Sequence, residues 1–117
     1  MASYKQADLV ELDFPISLPD GNDLYHPVLI ISCHAANSRE SHYTGIMMTA
    51  STYKDMFSFN VSNDMFDAHL NKSNCQLRLQ IIVTFKESQI KKLLNKMKKI
   101  HFKAAVEQLK DYVLSVD

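Results

Sequence analysis

Two glycines, three prolines and two cysteines are all that this 117-residue chain has of the residues that bend, break or staple a fold. The cysteines, Cys33 and Cys75, lie far apart and in no metal-ligand spacing, so they read as reduced, buried thiols rather than a disulfide framework or a zinc site. No apolar run exceeds a handful of residues, which excludes a bilayer-spanning helix. The start, Met1-Ala2-Ser3-Tyr4-Lys5, lacks the apolar stretch of a signal peptide, so a cytoplasmic address is expected. No repeat, low-complexity tract or linker divides the sequence, and one domain over 1–117 follows, with a modest core. Net charge is zero.

That neutrality hides a segregation. Residues 1–85 carry five Lys and Arg against nine Asp and Glu, whereas residues 86–117 carry eight Lys against four acids. Lys91, Lys92, Lys96, Lys98, Lys99 and Lys103 offer a basic footprint of the kind nucleic-acid binders use; composition alone fits a solvated, lysine-rich helix face better.

Short apolar or alternating runs predict strands over 8–14, 28–32, 45–50, 56–62 and 76–85. The last is the clearest, with Leu77, Leu79, Ile81, Val83 and Phe85 on one face and Gln76, Arg78, Gln80 and Thr84 on the other. Five strands before any strong helical pattern point to a small barrel, not to alternating α/β. Such a barrel ordinarily wants glycine at bulges and corners, so Asn22, Asn37, Asn60, Asn63, Asn71 and Asn74 are candidates for left-handed positions. Two helical stripes follow. Ile90, Leu93, Leu94 and Met97 recur at helical spacing behind the capping-box spacing of Thr84 to Glu87. Phe102, Ala105, Val106, Leu109, Tyr112, Val113 and Val116 define a C-terminal helix.

The order of the segments is informative beyond their periods. Asp8-Leu9-Val10-Glu11-Leu12-Asp13-Phe14-Pro15 precedes a polar loop; Tyr25-His26-Pro27-Val28-Leu29-Ile30-Ile31-Ser32, Ala36-Asn37-Ser38-Arg39 and Ile46-Met47-Met48-Thr49-Ala50 follow. This succession resembles the PemK/MazF family of toxin-antitoxin toxins over nearly the whole chain. The resemblance implies a mainly β fold with a C-terminal helix, an SH3-like small barrel of the PemK/MazF/CcdB type. It makes 86–92 a short helical turn, 93–97 a short strand and the terminal helix begin near Lys99, against the first helical stripe.

The resemblance further implies a homodimer that cleaves single-stranded RNA without metal or other cofactor and is inhibited by an antitoxin protein, with no membrane association. Such cleavage needs a base for the ribose 2′-hydroxyl, a cation or donors for the phosphate and an acid for the departing 5′-oxygen. His26 stands where the family has Arg before Pro. An imidazole can serve as base or, protonated, as charge stabiliser, but it lacks the permanent bidentate grip of Arg. Thr49 and Arg78 take the family's hydroxyl and sheet-end Arg positions, so His26, Thr49 and Arg78 are the expected catalytic residues, converging on one phosphate-sized pocket. Gln80, where some members have Asp, Ser51 and Asn37 are the expected substrate contacts; Asn37 reads equally as a turn-former. Asp20 and Asp23 fall where members carry an acidic loop residue. His34 reads as a loop residue, and His42, His69 and His101 as surface or half-buried. Met47, Met48, Met56 and Met65 with Phe57, Phe59 and Phe66 read as core or subunit contact. A non-catalytic RNA- or protein-binding module on the same barrel is the alternative function; a gyrase poison of the CcdB kind ranks lower, since the chain ends Leu114-Ser115-Val116-Asp117 without an aromatic residue.

Overall fold

A computed structural model describes residues 3–18 and 21–117. In chain order the strands are β1 (Asp8–Leu12), β2 (Ile16–Ser17), β3 (Asp23–Leu24), β4 (Val28–Ile30), β5 (His42–Ala50), β6 (Ser58–Asn60), β7 (Cys75–Lys86) and β8 (Ile90–Lys96). Helix α1 (His34–Glu40) lies between β4 and β5, and α2 (Lys99–Tyr112) ends the fold. Six strands form one antiparallel sheet in the order β6-β7-β5-β4-β1-β8, and β2 and β3 make a separate small hairpin.

Both faces of the sheet are covered, which is why β1 and β4 read as nearly continuous apolar runs rather than alternating ones. Leu9, Leu29, Ile46, Met48, Leu77 and Leu79 pack on one side with Phe102, Ala105 and Leu109 of α2. Val10, Val28, Ile30, Tyr43, Met47 and Phe85 pack on the other. The C-terminal stripe is borne out as far as Leu109, whereas Tyr112 is exposed and Val113 and Val116 lie beyond the end of α2; Gln108 fastens the helix to the sheet by donating to the carbonyls of Met56 and Ser58 at 3.1 and 3.0 Å.

The sheet curls without closing into a barrel ladder. Its edges, β6 and β8, are joined instead by the segment after β6, through a bridge between Phe66 and Met97 and bonds from Asp67 N–H to Lys96 O (3.0 Å) and Lys98 N–H to Met65 O (2.8 Å). Curvature comes from β7. Ile46 faces Ile82 but Met48 faces Leu77, so two steps along β5 span five along β7, and the surplus residues bulge and bend the strand. No left-handed backbone is spent there: among described residues only Ala7, Ser41, Asn74 and Gly21 have positive φ. Of the six asparagines considered for such positions, only Asn74 takes one.

Residues 90–96 are strand, behind a 3-10 turn at Glu87–Gln89. The stripe through Ile90, Leu93, Leu94 and Met97 is a coincidence of spacing, and Leu93 is 52% exposed. Helix α1 replaces the loop expected around His34. Cys75 is buried as expected, whereas Cys33, capping α1, is exposed. No helix is long and apolar enough to cross a membrane among the described residues.

Candidate active site

A groove of about 570 Å³ lies where the entry to β4 meets the end of β5. The Met48 N–H donates to Pro27 O at 2.8 Å, so the residue before Pro27 is held beside the one after Met48. His26 and Thr49 accordingly line the same groove. His26 is half-buried, and its Nε2 is shut off from solvent with no hydrogen-bond partner. Burial, and after it the charge of Lys72, push the imidazole below its ordinary 6.5, because a cation there is both poorly hydrated and repelled. The ring is therefore neutral at pH 7, the state a general base requires.

Residues 69–72 form another part of the wall, with His69 and Lys72 both on the groove. The segment is tethered from several sides. Asn95 of β8 grips Ala68 twice, accepting its N–H at 3.0 Å and donating to its carbonyl at 2.8 Å. Leu70 N–H donates to Asn63 Oδ1 at 2.7 Å, and the Cys75 thiol donates to Lys72 O at 3.2 Å. Burial raises the Cys75 thiol's pKa, which keeps it protonated and a donor.

Arg78 does not line this groove. Its guanidinium forms a two-pronged pair with Asp55 (2.9 and 3.0 Å) and donates to Ser58 Oγ (2.7 Å) and Gln76 Oε1 (3.1 Å), with the Tyr53 ring 5.8 Å away. The hydrogen bond from Arg78 holds the Asp55 carboxyl below the usual carboxylate range. The cluster pins residues 51–58 to β7, since Gln76, fully buried, donates in turn to the carbonyls of Ser51 and Tyr53. With its charge matched by Asp55 in a two-pronged pair, Arg78 is a fixture of the sheet.

A model of the family described as PemK-like, MazF-like toxin of type II toxin-antitoxin system matches residues 5–113. The chain belongs to that family. Among curated proteins none matches it by sequence. Solved structures do resemble this PemK/MazF-family chain in fold. MazF from Deinococcus radiodurans superposes with a TM-score of 0.73 at 15% identity, covering 96% of this chain and 97% of that one. An endoribonuclease from a Mycobacterial species, in complex with its cognate antitoxin, gives 0.70 at 13%, covering 98% and 99%. A MazE-MazF complex from D. radiodurans gives 0.70 at 16%, covering 99% and 100%.

Within this PemK/MazF fold the remaining expected site residues are dispersed. Asn37 is buried in α1, where it accepts from Ser32 Oγ and donates to Ser32 O at 3.0 Å, a clamp between β4 and the helix. Gln80 is exposed on the bulged part of β7, and Ser51 Oγ accepts the Tyr53 N–H at 3.1 Å; neither lines the groove. Asp23, in β3, is exposed, and Asp20 lies outside the described residues. His69, expected as a surface or half-buried residue, and Lys72, which carries no motif, line the groove on a loop held by these tethers.

Proposed function

We propose that this protein is a metal-independent endoribonuclease of toxin type, cutting single-stranded RNA in the cytoplasm as a homodimer and silenced by a cognate antitoxin. Family membership supports the reading, as does the likeness in fold to a Mycobacterial endoribonuclease solved with its antitoxin and to a MazE-MazF pair. One observation carries it: a neutral imidazole, His26, and a hydroxyl, Thr49, line one groove.

In this reading His26 takes the proton of the 2′-hydroxyl while O2′ attacks phosphorus, and Thr49 donates to a non-bridging oxygen. The bond to O5′ breaks, leaving a 2′,3′-cyclic phosphate and a 5′-hydroxyl. Exposed Lys92 on β8, whose Leu94 and Asn95 also border the groove, gives the strand's approaches a cation suited to RNA, while Lys91 beside it pairs with Glu11 at 3.4 Å. The test is incubation of the folded protein with a long RNA in excess chelator. Fragments with 5′-hydroxyl ends are expected, and His26→Ala removes them while leaving the melting temperature in place.

A second reading has its own support, since His26 stands where the family resemblance puts Arg and Arg78 is neutralised by Asp55. A binding module on the same fold retains RNA, or a protein partner, without cutting. Intact RNA after prolonged incubation, together with salt-dependent RNA binding, decides for it.

A further inference from the structure

We propose that residues 69–72 complete the catalytic centre, Lys72 holding the charge of the scissile phosphate and His69 returning a proton to the leaving 5′-oxygen. The inference rests on the RNA-cleavage reading and adds the two functions that the strands leave unfilled. A phosphorane needs a cation or strong donors, and its alkoxide leaving group needs an acid. His26, neutral, supplies no charge, and Arg78 is committed to Asp55 outside the groove. Among the described residues lining the groove Lys72 is the only Lys or Arg, and His69 is the only imidazole besides His26.

Proximity has an independent sign, because the Lys72 charge acts on the His26 ring in the groove. The other charged or titratable groups around His26 are Glu11, Tyr25, His69 and Cys75 in this groove, and Asp13 and Lys91 in the adjoining hollow beneath it. None of the remaining cations bears on its ring as Lys72 does. The tethers to Asn95, Asn63 and Cys75 fix the backbone that carries both side chains, so they face the groove from a set position rather than a free loop.

The step balances with these groups. The 2′-hydroxyl proton passes to His26, the O2′–P bond forms and the P–O5′ bond breaks. The proton of the His69 imidazolium goes to O5′, and Lys72 stays protonated throughout. No metal or co-reactant is consumed.

Three variants of the full-length protein test this: Lys72→Ala, Lys72→Arg and His69→Ala, assayed on a long RNA without divalent metal. Lys72→Ala is expected to slow cleavage roughly 10- to 100-fold, less than a buried oxyanion donor because the groove is open to water. Lys72→Arg restores most of it, and the His26 ring, followed by NMR titration, moves up toward its ordinary pKa only in Lys72→Ala. His69→Ala slows cleavage of ordinary RNA but not of RNA carrying a 5′-thio leaving group, which departs without a proton. Cleavage by the unaltered protein that survives Lys72→Ala, or a His69→Ala defect that persists with the 5′-thio substrate, overturns the inference and leaves the nuclease reading standing. Absence of cleavage by the unaltered protein sinks both.

Discussion

Gly45 leaves no room for a single added carbon in the sheet that frames the groove. It sits in β5 against β4 with an ordinary strand φ, so the constraint is spatial. A Cβ built there falls 2.2 Å from Val28 Cγ1, 2.8 Å from Leu29 O and 3.3 Å from Phe85 Cε1. The valine methyl can swing away, but a ladder carbonyl moves only with its strand. Gly45→Ala therefore carries an overpacking cost of about 3 kcal/mol, offset by up to roughly 1 kcal/mol from the stiffer unfolded chain. The net is about 2 kcal/mol. With an unfolding entropy near 2.1 cal/mol/K per residue, a chain of this length has a total of about 0.25 kcal/mol/K, and the midpoint falls by about 8 °C. Thermal unfolding followed by circular dichroism measures it. Val28→Ala opens space for the new methyl, so the double variant should lose less stability than the two single losses together. A midpoint within about 2 °C of the parent, or strict additivity in that cycle, would refute the close-approach argument.

Three further outcomes are expected. For His26 the sign follows from its depressed pKa: below about 6.5 the unfolded chain takes up the proton that the folded site refuses, so stability declines as pH falls through that range. His26→Gln flattens this part of a denaturation-versus-pH curve; an unchanged slope contradicts it. Tyr43→Phe removes a hydroxyl that donates to Glu87 at 2.6 Å and accepts the Tyr4 N–H at 3.3 Å, costing about 1 kcal/mol in chemical denaturation. Because bonds from Ser3 and Tyr43 hold the Glu87 pKa low, their stabilisation is present above pH 4.5 and fades as pH falls through the depressed value, and this acid-side loss shrinks in Tyr43→Phe. Arg78→Lys cannot reproduce the two-pronged pair with Asp55, so the midpoint drops, while cleavage per folded molecule stays within about threefold of the parent; a larger activity loss at full folding returns Arg78 to the chemistry.

The parts of the fold that one period could specify were legible in the chain. Leu77 to Phe85 form β7, though not with the single apolar face expected: the bulge turns the strand over, so Leu77 and Leu79 pack on the α2 side and Phe85 on the other, with Ile81 and Val83; Phe102, Ala105 and Leu109 repeat at helical spacing and bury one face of α2. The segment from Ile90 to Met97 satisfied a helical stripe by chance, and only the family resemblance read it as turn and strand, because its register is set by pairing with distant β1. Helix α1 escaped notice since it has seven residues and buries one of them, the polar Asn37. Family order placed His26 and Thr49 in one groove. It could not show that Asp55, in an intervening loop, would claim Arg78, nor that Asn95 would carry His69 and Lys72 to another part of the groove wall.

The two hydrogen bonds between Asn95 and Ala68 reinforce, through a side chain, the short run of backbone pairing that seams the edges of the curled sheet. A seam of that kind opens as a unit. Slow amide exchange at Asp67, Ala68 and Lys98 would report that this wall of the groove is standing, and any ligand that pries the end of β8 outward disarms the wall without entering the cleft.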